Sequence, residues 1–129
     1  MNLGPERAER ALVVAGAAGA FLAVAAGAFG AHGLRGAIPA ERLEIFEVGV
    51  RYHLFHSLAL FAVAWVASRV PSRAVRAAGW LLVAGIVLFS GSLYAYALTR
   101  RKTFGAVTPV GGVALLSGWA SLALGVWKG

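Results

Sequence analysis

The feature that most constrains this chain is its supply of long apolar runs. Four of them, at about 11–31, 51–69, 75–98 and 107–127, are broken by few charged residues. A hydrocarbon core is about 30 Å thick and a helix rises about 1.5 Å per residue, so each run can cross it. A spanning backbone must satisfy its own hydrogen bonds, which selects helices over open strands. The runs also lack the alternation of barrel strands. The expected fold is an all-α membrane protein, a four-transmembrane-helix bundle, with residues 1–129 forming a single membrane domain. Only 13% of the residues are charged, against about a quarter in soluble domains. A lipid-facing surface tolerates that; a solvated globule of this size does not.

The apolar run after Arg7 and Arg10 resembles a signal peptide at first sight. At about 20 residues it exceeds the ~7–15 of an h-region, so it is read as the first span. With no cysteine in the chain, disulfides, thiolate metal sites and CxxC redox chemistry are excluded. The net charge of +7 is scattered in short groups at the ends of the runs, such as Arg69, Arg73 and Arg76, or Arg100, Arg101 and Lys102. Such positions anchor helix ends and bias topology. They offer too little continuous surface for nucleic acid, which is not expected as a partner.

Between the first two runs, residues 39–50 have a different character. Leu43, Ile45, Phe46 and Val50 alternate with Glu41, Arg42, Glu44 and Glu47. Pro39 suits a helix start, and the early acidic residues suit the positive end of its dipole. This predicts a short amphipathic segment, either flat on the interface or extending the second span into water. All five acidic residues precede Val48, so the remaining spans contain no carboxylate.

Small residues recur at steps of three and four in the first run (Gly16, Gly19, Ala23, Ala26, Gly30) and in the last (Gly111, Ala114, Gly118, Ser121, Gly125). They put a small face on each helix and predict close helix packing. Trp65, Trp80 and Trp127 fall near span ends, as an aromatic belt predicts, while Trp119 lies deeper and is read as packing. Six Lys or Arg fall on each side of the membrane: Arg7, Arg10, Arg69, Arg73, Arg76 and Lys128 against Arg35, Arg42, Arg51, Arg100, Arg101 and Lys102. The first helix usually dominates orientation. Both termini are therefore expected in the cytoplasm.

Polar chemistry is expected at one end of the bundle. His32 closes the first run, His53 and His56 fall in the first two turns of the second, and Ser90, Ser92 and Tyr94 lie late in the third. Thr108 and Pro109 read as the cap and first residue of the fourth helix, whose free amino end could receive an anion. His53 and His56 share a helical face at i, i+3. With His32 they form a candidate all-histidine metal site. Hydrogen bonding between helices is the alternative role for these side chains. A Ser90 or Ser92 nucleophile with His56 as base lacks an acidic partner nearby, and no catalytic residue is assigned.

The stretches Gly27-Ala-Phe-Gly-Ala-His32-Gly-Leu34, Tyr52-His-Leu-Phe-His56-Ser-Leu-Ala59, Leu88-Phe-Ser-Gly-Ser-Leu-Tyr94 and Thr108-Pro-Val-Gly-Gly112 occur in that order. Together they resemble the small four-helix membrane-protein family of unknown function typified by the bacterial YgdD and YwdK proteins, with animal transmembrane relatives. The resemblance implies a multi-pass protein of the bacterial plasma membrane and brings no activity, substrate or cofactor. His32, His56, Ser90, Ser92, Tyr94, Thr108 and Pro109 fall on its motif positions. His53 is a more permissive position, and the Arg100–Lys102 group lies outside the pattern. The resulting expectation is a non-enzymatic protein that binds a lipid or small apolar ligand, or serves a membrane complex as partner or homo-oligomer. The ligand site would comprise those seven residues. The alternative is a metal-, haem- or proton-handling protein centred on His32, His53 and His56.

Overall fold

The structure is a computed structural model and describes residues 4–129. Helix α1 (Pro5–Phe29) continues through a π turn, Gly30–Leu34; α2 covers Ala40–Ala67. The third rod is built from α3 (Arg73–Gly85), a second π turn (Ile86–Ser90) and α4 (Gly91–Thr99). Helix α5 runs Lys102–Lys128. The four continuous rods, Pro5–Leu34, Ala40–Ala67, Arg73–Thr99 and Lys102–Lys128, are each long and apolar enough to cross a membrane.

The connections are short and follow local chemistry. Ala37 N donates to Leu34 O (2.8 Å) around Arg35 (φ −60°, ψ 120°) and Gly36 (φ 83°). That is a type II turn, whose third position needs the left-handed backbone that glycine adopts freely. The third rod ends at Arg100, which takes the left-handed conformation (φ 63°) and donates its N–H to Tyr96 O. Glycine usually fills such a position.

Residues 39–50 do not form a separate element: from Ala40 onward they are the opening turns of α2. Leu43 and Phe46 are buried with Leu34 and Ala97 in a small core at this end of the bundle. Arg42 Nη1 donates to Ala97 O at 2.8 Å, satisfying a carbonyl that the end of α4 leaves without a helical donor. Burial and this cap hold α2 against α4 and keep it upright. The exposed Arg35–Glu47 pair, 3.5 Å apart, adds little.

The fourth helix corrects an expectation. Thr108 and Pro109 do not start it; Pro109 lies inside α5, which begins at Lys102. Proline is tolerated within a membrane helix when side chains re-satisfy the backbone it frees. Thr108 Oγ1 lies 3.3 Å from Phe104 O, one turn back. The anion-receiving helix end expected beside Thr108 therefore belongs to Lys102.

The glycine stripes mark the closest approaches. On α1, a Cβ at Gly16 would stand 2.9 Å from Ser57 O, and one at Gly30 would stand 3.1 Å from the Phe46 ring. On α5, a Cβ at Gly111 would run into the backbone of Phe89, and one at Gly118 into Leu82. Thus α1 rests on α2, and α5 rests on α3 and its π turn. A main core of Leu12, Leu60, Val63, Val75, Leu82 and Leu115 lies between them.

Candidate functional site

Because α2 starts at Ala40, His53 and His56 stand half-way along it, not in its first two turns. The polar residues consequently form a belt that runs from Ser92, Tyr94 and Thr108, about two turns from the rod ends at Thr99 and Lys102, to His56 and Trp119 at the middle of the bundle. His32 is excluded from this belt: it sits exposed in the π turn Gly30–Leu34.

Within the belt, each polar side chain reaches a neighbouring helix. His53 Nδ1 lies 2.9 Å from Tyr94 Oη, joining α2 to α4. Ser90 Oγ, 1% exposed, donates to Gly49 O at 2.8 Å. Ser92 Oγ and Thr108 Oγ1 are 2.6 Å apart and join α4 to α5, with Phe89 O (2.9 Å) and Phe104 O as the flanking acceptors. Each hydroxyl has one proton. The chain therefore runs either Thr108 to Ser92 to Phe89 O, or Ser92 to Thr108 to Phe104 O. Pro109 is exposed and contributes no donor of its own.

His56 is the best determined of these residues. Trp119 Nε1 reaches its Nε2 at 3.1 Å. An indole N–H can only donate, so Nε2 must be the unprotonated acceptor. The proton therefore sits on Nδ1, which donates to Tyr52 O at 2.7 Å. Both nitrogens are committed, leaving no lone pair for a metal and no basic nitrogen for Ser90 or Ser92. In this arrangement His56 is not free to serve the candidate metal site. Among the described residues, no three His, Cys, Asp or Glu side chains gather as a metal site.

Trp119 is the functional-site residue that sequence reasoning missed. Its partner is 63 residues away, and no local pattern announces it. Ser57 lies outside the site: its Oγ is buried at the α1–α2 contact with no hydrogen-bond partner among the described residues.

The His56–Trp119 pair lines a cavity of about 440 Å³ together with Tyr52, Phe89, Gly112, Leu115 and Leu116. Tyr52 stacks on His56 (ring centroids 5.9 Å, planes 10° apart) and packs against Phe89 (4.7 Å). Leu116 is 72% exposed, so the cavity opens on the side of the bundle. The π turn shapes its wall, since it presents Phe89 to both Tyr52 and α5. Irregular turns of this kind recur at functional positions in helices. A larger hollow of about 730 Å³, lined by Glu6, Glu9, Arg10, Phe61 and Trp65 among others, shares no residue with the belt.

Comparison with known proteins comes from sequence. The family described as "Protein of unknown function (DUF423)" matches residues 26–112. The UPF0382 membrane protein YwdK of Bacillus subtilis is 47% identical over 120 residues, spanning 92% of this chain and 98% of that protein. The UPF0382 membrane protein SSP2132 of Staphylococcus saprophyticus is 44% identical over 119 residues, with 92% and 98% covered. No solved structure matches the chain.

Proposed function

The chain belongs to the DUF423 family of membrane proteins, whose description assigns no activity, and from that premise we propose that it is a non-enzymatic intramembrane binding protein. Its ligand is a lipid or small apolar molecule that enters sideways from the bilayer. The observation that supports this reading is the cavity between α2, the π turn and α5. It has aromatic walls and the hydrogen-bonded His56–Trp119 pair in its lining, at half the depth of the bundle. Binding sites for small molecules are mostly apolar, with a few placed polar groups. Here Tyr52, Phe89, Leu115 and Leu116 supply the apolar surface. Trp119 holds the imidazole of His56 in one orientation. Ser90, Ser92, Tyr94 and Thr108 support the site from behind by fixing the helices that frame it, and Pro109 shapes α5 beside them. His32 takes no part in this cavity. In this reading the protein sits in the bacterial plasma membrane with both termini cytoplasmic, the orientation that Arg7 and Arg10 at the start of the first rod favour.

Native mass spectrometry of protein released from gentle detergent tests this. The wild type should retain an added mass, and Gly112→Leu should lose it. A Cβ at Gly112 would meet only the Phe89 ring, at 3.8 Å, so the leucine fills the cavity without moving the backbone. A wild type that carries nothing, or a Gly112→Leu protein that carries the same mass, refutes the proposal. A protein-sized mass lost in the same variant would identify a membrane partner or second copy seated in that cavity.

A further inference from the structure

The basic group Arg100–Lys102 has no part in the cavity at the middle of the bundle. It lies at the opposite end from the termini, where α2, α4 and α5 converge. There Arg42, Arg100 and Lys102 line a hollow of about 270 Å³ together with Glu41, Ile45 and Tyr96. Three cations face one carboxylate, so the lining carries a formal charge of +2. We infer that this hollow binds a phosphate group at the membrane surface, either the headgroup of an anionic phospholipid or inorganic phosphate.

Several independent features favour an anion there. Arg42 spends one arm on Ala97 O, which fixes its guanidinium charge beside the hollow. Arg100 occupies a left-handed helix end (φ 63°) that glycine usually fills, and so brings a cation where the commoner residue would bring none. Lys102 is the first residue of the 27-residue helix α5, whose Arg101 cap provides no side-chain acceptor. The positive end of that helix and its unsatisfied N–H groups thus add to the charge of the side chains. Guanidinium groups match phosphate geometry, and lysine adds a point charge. Ile45 and the Tyr96 ring supply apolar surface beside the charges, as a headgroup with its first acyl carbons requires.

The test uses the full-length protein in mild detergent. It is titrated with phosphatidylglycerol, with phosphatidylcholine of the same acyl chains, and with inorganic phosphate, and bound lipid is counted by native mass spectrometry. One phosphatidylglycerol per chain should bind saturably and in preference to phosphatidylcholine. Each basic residue near a membrane surface contributes roughly fivefold, so Arg100→Gly with Lys102→Gln should weaken it by about thirtyfold. Displacement of the lipid by millimolar phosphate would make the phosphate group itself the ligand. Retention of the lipid against phosphate would make it the whole headgroup with its chains. Absence of saturable binding for both ligands, or unchanged binding in the double variant, overturns the inference. If the double variant melts early, Lys102→Gln alone carries the test, because that side chain is exposed and its loss should still cost about fivefold.

Discussion

Adjacent glycines on α5 should respond to the same substitution with opposite sign. A Cβ added at Gly111 meets the main-chain N and Cα of Phe89 and the carbonyl carbon of Leu88. None of these can rotate away, so α5 must retreat from the π turn. Overpacking costs about 1–3 kcal/mol, and the main-chain contact puts Gly111→Ala at the upper end. The better helix propensity of alanine offsets about 1 kcal/mol, leaving a net loss of about 2 kcal/mol. At Gly112 the new Cβ finds only the Phe89 ring, at 3.8 Å. Gly112→Ala should therefore keep the propensity gain, up to about 1 kcal/mol. The predicted gap of about 3 kcal/mol is roughly a hundredfold in the unfolding equilibrium. Reversible unfolding in mixed detergent micelles, followed by tryptophan fluorescence, measures it. Equal losses in the two variants would refute the claim that backbone contact between α5 and the π turn sets the helix spacing.

Ser90→Ala should cost about 0.5–1.5 kcal/mol, the net worth of one hydrogen bond, because Gly49 O loses the hydroxyl but keeps its own helical donor. Ser57→Ala should be neutral or stabilising by about 1 kcal/mol, since its buried hydroxyl has no partner to lose; both are read in the same unfolding assay. A double-mutant cycle of His56→Phe and Trp119→Phe should return a coupling of about 0.6–1.7 kcal/mol, the range for hydrogen bonds between membrane helices. Strict additivity in that cycle would mean that the two rings merely touch.

The apolar runs and the small-residue stripes made the four rods and their tight pairing readable, because both depend on periodicity within one helix. What escaped depends on residues far apart in the chain. The amphipathic pattern of residues 39–50 fits a helix lying flat as well as one standing upright. The choice is made by Phe46 against Leu34 and by Arg42 on Ala97 O, contacts with no local signature. Thr108-Pro109 carries a strong start signal in water, yet it is overruled where a serine on the next helix engages the threonine. His32, His53 and His56 looked alike as residue types. Only the partners of each separate an exposed turn residue, a tyrosine-bound side chain and an imidazole held in one tautomer by Trp119.

The π turn at Ile86–Ser90 also bears on how this chain can change over generations. A single extra residue within an α-helix produces such a turn, and each residue of a regular helix advances the chain by about 100°. Excising Val87 would let the rod heal into an unbroken helix and swing every later side chain of α4 by that angle. Ser92 would leave Thr108 and Tyr94 would leave His53, with no amino acid at either position altered. In this stretch the length of the chain is itself inherited information. A one-codon deletion would rewire three helices, where a substitution at the same codon, whose side chain is 64% exposed towards lipid, would pass almost unnoticed.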